Sequence, residues 1–303
     1  MTSPKRPWTG HGLKRERWLG PLFVAPVMLF LACVIVLPLA HAFWTSLHRT
    51  RGLSMTFIGL GNYVRILEEE AFWHSLRVSL AFTSISVTLH VLAGLALALM
   101  LNEIRVARTA LRILFLTPWM VAPAVGATIW LWLFEPQFGV INYLMSQIGL
   151  IDRPVAWLGE PRSAFAAVTA VEVWRGIPFV MLLMLAGLQT IPQEQYEAAA
   201  IDGANTVQRF RYVTLPNLRY LLVVASTLDI INVVRHYDII GVMTTGGPAN
   251  ATEVLPALLY NTAFRANRFG EAAAIGVLLL AMVLVFSIIY LRITRVARAD
   301  QLR

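Results

Sequence analysis

The sequence contains one cysteine, Cys33, so it can form no internal disulfide and no cysteine-based metal site. Charge is scarce too. Only 14% of the 303 residues are Asp, Glu, Lys or Arg, against about 25% in ordinary soluble domains. That deficit argues that lipid rather than water meets much of the surface. No H-E-x-x-H, G-x-S-x-G or Walker A sequence occurs, which removes the zinc-protease, serine-hydrolase and P-loop readings. There is no repeat of solenoid length and no low-complexity tract. No segment between apolar runs has the length of a soluble domain.

What the chain has in quantity is apolar sequence, 57% of its residues. A helix needs about 20 apolar residues to cross a bilayer. Six runs meet that length, near Trp18–Phe43, Trp73–Leu101, Ala110–Phe134, Ala164–Thr190, Leu218–Thr244 and Gly270–Leu291. The fold expected is therefore all-α, a polytopic membrane protein with six transmembrane helices. The net charge of +8 would suit a nucleic-acid binder, but its distribution argues otherwise. With both termini on one side, the loops and tails of that side hold 15 Lys or Arg, and those of the other side hold 7. The positive-inside rule then places both termini in the cytoplasm. Ala40-His41-Ala42 looks like a signal cleavage site. The apolar run before it exceeds the roughly 7–15 residues of a signal peptide, so an uncleaved first span is expected.

In the first outer loop, FIGLGNYVRILEEEAFW predicts a short interfacial helix carrying Val64, Ile66 and Leu67. Its acidic run, Glu68 to Glu70, reads as a solvated face, because adjacent residues on a helix do not converge on a metal. Pro118 and Pro123 predict a kink in the third span. Trp18, Trp44, Trp73, Trp130 and Trp132 lie near span ends, as an aromatic belt does.

The loop after the fourth span, residues 191–219, reads IPQEQYEAAAIDGANTVQRFRYVTLPNLR. Pro192 suits the first position of a helix. Residues 193–202 have high helix propensity, and Gly203 would end that helix as a C′ glycine. Asn205 or Thr206 can cap a second short helix, with Val207, Phe210 and Val213 along one side and Pro216 ending it. An interfacial anchor would carry large apolar residues. Here the first helix is mostly alanine, a smooth face that another protein can approach closely.

The spacing Glu197-Ala198-Ala199, Gly203, Val213, Leu215-Pro216 resembles the coupling-loop motif of permease subunits in binding-protein-dependent ABC importers. In that family the aliphatic position is more often Ile than Val. The resemblance covers nearly the whole chain, from Trp18 to Arg292. The stretches FIGLGNYVRIL, EVWRGIPFVMLLMLAGLQTIP and MTTGGPANATE look like the carbohydrate-uptake branch. It implies a cytoplasmic tail at 1–17, a six-span permease domain at 18–292 with its coupling loop at 191–219, and a second cytoplasmic tail at 293–303. It also implies a bacterial or archaeal plasma membrane and a second homologous permease subunit. Two cytoplasmic ATPases would bind ATP and Mg, and an extracytoplasmic solute-binding protein would deliver a sugar, polyol or glycerol phosphate. This chain would bind no cofactor, metal or nucleic acid and would catalyse no reaction. Glu197, Ala198, Ala199, Asp202, Gly203, Leu215 and Pro216 would couple it to an ATPase. Gly246, Gly247 and Pro248, with Thr252 just downstream, would lie near the docked binding protein.

Ionisable residues inside spans are functional-site hypotheses by default. Span four carries Glu172, Trp174 and Arg175. Span five carries Asp229, Asn232, Arg235, His236, Tyr237 and Asp238. At about 1.5 Å per residue, straight helices would put Glu172 about 12 Å and Arg235 about 13 Å below the outer surface. The pair could form a salt bridge that holds the bundle together. It could equally line a path for a hydroxyl-rich solute, with Trp174 or Tyr237 as a stacking face and Asn232 as a polar contact. His90, alone in span two, reads as a packed helix-interface residue. A self-powered secondary transporter would show paired interrupted spans in inverted halves, and a membrane-embedded enzyme would need a nucleophile–base or metal set. Neither pattern is present.

Overall fold

The computed structural model describes residues 23–51, 54–104 and 108–299. The expected tail at 1–17, the start of span one at Trp18 and the last residues, 300–303, lie outside them. Span one is α1 (Phe23–Ser46), with a π-helical turn at Ala32–Val36. Then come β1 (His48–Arg51), β2 (Ser54–Phe57) and α2 (Gly61–Glu68). Span two is α3 (Glu70–Glu103), and span three is the pair α4 (Arg108–Met120) and α5 (Pro123–Leu133). After α6 (Val140–Gln147), span four is α7 (Pro161–Leu188). Next are α8 (Gln193–Ile201) and α9 (Thr206–Arg209), a π-helical stretch at Phe210–Thr214, and α10 (Leu215–Arg235), which is span five. The chain ends with α11 (Asp238–Met243), α12 (Leu255–Tyr260) and α13 (Phe269–Ala299).

Four expectations are corrected here. The third span is not one kinked rod: α4 and α5 meet at 95°. The break falls at Val121–Ala122, because Pro123 opens α5 and the residue before a proline avoids helical backbone. Span five likewise stops at Arg235. His236 is extended, and α11 starts afresh at Asp238. The all-α expectation holds for the spans, but an antiparallel hairpin, β1–β2, stands in the first loop. The sixth helix also runs on through Ala299, past the span end expected at Leu291.

The centre of the bundle is the crossing of α3 and α7, against which α4 and α10 pack. Close approach depends on Gly176, where an added Cβ would lie 2.1 Å from the His90 ring. Ala98, Leu101, Val180, Met181, Met184 and Leu218 fill one end of this core. Val168, Val171, Val233 and Ile240 fill the other, together with Ala127 of α5. By contrast α1 packs mainly along α13, and none of its most apolar stretch is buried within the chain.

Interlocking polar contacts hold one end of the bundle. Asn62 of α2 donates to the carbonyls of Ser46 and His48. Gly270 N donates to Thr50 Oγ1 at 3.0 Å. Glu271 bonds both Arg65 and Arg268, and Arg268 also reaches Glu69 at 3.7 Å. So part of the acidic run is tied to the start of span six. The short helix expected in this loop is α2, with Ile66 buried against Leu255 and Ile275.

Candidate functional site

The α8–α9 corner forms as its residues dictate. Gly203 has φ +78°, the left-handed conformation that glycine adopts without a Cβ penalty. Gly203 N donates to Ala200 O at 3.1 Å and Ala204 N to Ala199 O at 2.9 Å, the paired bonds of a Schellman closure. Asn205 then caps α9 reciprocally with Gln208. Pro192 is one position earlier than expected, at the N-cap of α8 rather than inside the helix. A larger correction concerns Pro216. It does not end the second helix: the helical path continues from Thr206 through Phe210–Thr214 into span five, with Pro216 in the first turn of α10. The bonds Asn217–Gln195 (2.8 Å) and Tyr196–Thr214 (3.0 Å) fasten α8 to this rod.

No residue of α8 is buried. Glu197, Ala198, Asp202 and Gly203 are exposed, and Ala199 is half-buried. Leu215 and Pro216 are exposed at the base of α10. Of the expected apolar side of the second helix, Val213 is buried and Phe210 half-buried, but Val207 is 73% exposed.

In the bundle, the Glu172–Arg235 pairing is overturned. Glu172, 1% exposed, is bonded through Oε1 to His236 Nδ1 at 2.9 Å, with Arg175 at 3.6 Å. Arg175 in turn donates to the His236 ring at 2.9 Å. Nδ1 of the imidazole faces the carboxylate, and Arg175 Nη2 lies 2.9 Å from both ring nitrogens. Among the described residues, Glu172 Oε2 and Arg175 Nε are buried without a hydrogen-bond partner. Arg235 turns the other way because the helix ends there. It is exposed, it donates to Ile231 O and Asn232 Oδ1 at 3.1 Å each, and among the described residues no carboxylate lies within 4 Å of it.

Asp229, expected along the path, instead faces a helix contact. It is 3% exposed and lies 2.7 Å from His90 Nδ1. The other ring nitrogen of His90 meets the Glu172 carbonyl at 3.1 Å. His90 is thus an interface residue as read from the sequence, but one joined to two other spans. Trp174 sits edge-on to Trp130 at 5.6 Å and over Gly126. Trp130 therefore belongs to this packing rather than to an outer belt, whereas Trp44, Trp73 and Trp132 are exposed. Tyr237 stacks on Tyr260 at 4.9 Å, and Asp238 is exposed at the start of α11. None of these residues lines the cavity of about 410 Å³ between α3, α10 and α13, whose walls carry Ser79, Thr83, Ile231, Val234 and Phe286.

The 244–253 loop is closed by Thr252, which is 2% exposed and bonds Thr244 Oγ1 (2.7 Å) and the Gly247 carbonyl (2.8 Å). Gly246 has φ +103° and is buried, whereas Gly247 and Pro248 are half-buried. The surface of this loop falls at Ala249 and Asn250, and the Asn250 carbonyl bonds His74 of α3.

A helical bundle with a broken third span, a charged cluster inside it and a bare helix pair at one end defines a multi-pass membrane protein of the permease type. The chain belongs to the family of binding-protein-dependent transport system inner membrane components, whose profile matches residues 90–298. It is 42% identical over 286 residues to the trehalose/maltose transport system permease protein MalF of Thermococcus litoralis, covering 94% of this chain and 96% of that protein. It is 34% identical to the sulfoquinovosyl glycerol transport system permease protein SmoG of Agrobacterium fabrum, over 95% and 94% of the two chains. Its fold matches a chain of a bacterial alginate ABC transporter, solved with an alginate pentasaccharide-bound periplasmic protein. There the TM-score is 0.80 and the identity 21%, with 93% of this chain and 95% of that chain covered.

Proposed function

We propose that this chain forms half of the solute path of an ATP-driven importer for a sugar or sugar-like solute: an oligosaccharide, a monosaccharide, a polyol or a glycerol phosphate. A second homologous permease forms the other half. Two cytoplasmic ATPases bind ATP and Mg, and an extracytoplasmic binding protein or lipoprotein delivers the solute. Both termini lie in the cytoplasm of a bacterial or archaeal cell, with residues 18–292 as the permease domain between tails 1–17 and 293–303.

The observation that carries this reading is the bare α8 helix fastened to a continuous helical rod. Glu197, Ala198, Ala199 and Asp202 present a small, acidic face to an ATPase groove. Gly203 lets the chain turn back at once, and Leu215 and Pro216 join the turn to span five. A displacement of α8 is then handed to α10 without a flexible joint. The names of the two relatives, both transport permeases for glycosides, support the solute class. Arg235 and Asn232 face the solute, with Glu172 and Arg175 behind them and Tyr237 and Asp238 at the break. Trp174 positions α5 against α7. Gly247 and Pro248 stand beside the docked binding protein.

The test is reconstitution of the chain with its partner permease, ATPases and binding protein in proteoliposomes. Solute entry that requires ATP supports the proposal. Entry through this chain alone, driven by an ion gradient, overturns it.

A further inference from the structure

The His90–Asp229 contact has no place in a solute path. Both side chains are buried, at 0% and 3% exposure, and neither lines the cavity between α3, α10 and α13. Yet the contact joins three spans. Asp229 lies on α10, His90 on α3, and the second ring nitrogen of His90 holds the Glu172 carbonyl on α7. Glu172 then reaches through its own carboxylate to His236, the residue that follows α10. The four residues close a ring that leaves α10 at Asp229 and returns just beyond its end.

The rod gives this ring a mechanical meaning. From Thr206 to Asp229 the path is helical throughout, a reach of about 34 Å at 1.5 Å per residue. Its near end is the α8–α9 corner, and its far end is the ring. The ring also leaves little slack: the His90 imidazole fills the space that a Cβ on Gly176 would need. Moving α10 against α3 would strip Asp229 of its partner inside the bundle, which is unfavourable for a buried polar group.

We propose that His90 is a positioning residue for transport. It fixes the Glu172–Arg175–His236 cluster to the far end of the rod, so that movement at the α8–α9 corner arrives at that cluster. This rests on the ATP-driven reading above, and on none of the solute identities.

The test uses two double variants in the complete importer. In His90→Gln with Asp229→Asn, a neutral hydrogen bond replaces the pair. In His90→Leu with Asp229→Leu, apolar packing replaces it, which buried pairs often tolerate without loss of stability. Both complexes are checked for assembly by co-purification. ATP hydrolysis is then measured without binding protein, and uptake is measured with trehalose as the probe. The expected result is that the Gln/Asn complex recovers at least half of the wild-type hydrolysis rate. The assembled Leu/Leu complex shifts by threefold or more and loses uptake. An assembled Leu/Leu complex that matches wild type in hydrolysis overturns the proposal, because packing alone would then suffice. A wild-type complex that hydrolyses ATP without moving trehalose corrects the solute, and the hydrolysis arm still decides the role of His90. A wild-type chain that assembles with no ATPase removes the reading on which the proposal stands.

Discussion

His236 Nδ1 lies 2.9 Å from Glu172 Oε1, across 64 residues of sequence. The bond links the middle of span four to the residue at which span five breaks. It exists because the break extends the backbone at His236 and swings its ring towards α7. Glu172→Gln removes the charge that faces His236 and Arg175, leaving a buried guanidinium without its carboxylate. Removing one partner of a buried pair costs about 3–5 kcal/mol. The expected outcome is a clear fall in the melting temperature of the detergent-purified complex. A melting curve that superimposes on wild type would show that the cluster is not holding α7 to α10.

Arg235 should behave differently. It is exposed, and among the described residues its hydrogen bonds go to the neighbouring turn, so its removal leaves no buried partner there without a bond. Arg235→Ala is expected to leave stability and basal ATP hydrolysis close to wild type. If its guanidinium bonds a solute hydroxyl or anionic group, the loss is about 1.5–3 kcal/mol. That is at least about a tenfold rise in the solute concentration needed for half-maximal stimulation. Equal changes in basal and stimulated hydrolysis would remove Arg235 from the path.

The split between these two arginines was not legible in the sequence. Depth along straight helices placed Glu172 level with Arg235, and charge complementarity favoured that pair. The break at His236 undid the geometry, and nothing in VVRHYD announces a break as proline or glycine would. The His90–Asp229 contact was hidden for a different reason. Its partners are 139 residues apart, and their meeting depends on the rotation of three helices at once. The hairpin of HRTR and SMTF lacked the alternating apolar pattern that marks a strand. What was legible rests on local chemistry. Apolar length gave the spans, and Gly203 with Asn205 gave the α8–α9 corner almost to the residue.

Gly176 offers a prediction about packing alone. A Cβ there would lie 2.1 Å from the His90 ring, closer than any real contact. Gly176→Ala must separate α3 from α7 or break the bond between His90 and Asp229. The expected cost is that of an overpacked core, about 1–3 kcal/mol, with less complex recovered from membranes and a lower melting temperature. Normal yield and melting temperature would show that the crossing has slack.

Gly203 separates backbone from surface. A Cβ there would meet nothing within 4 Å in this chain, but the residue holds φ +78°. Three substitutions then distinguish the causes. Gly203→Asn tolerates the left-handed region and adds a neutral side chain, so it reports crowding by a partner. Gly203→Ala adds little bulk but carries a left-handed penalty of about 1–2 kcal/mol, so it reports the turn. Gly203→Asp adds charge at the face assigned to the ATPase. Uptake is expected to fall moderately in the alanine variant and to be abolished in the aspartate variant, while the aspartate complex still assembles in part. If the aspartate variant transports like wild type, the corner does not sit in an ATPase groove, and the rod through α10 must be driven from elsewhere or not at all.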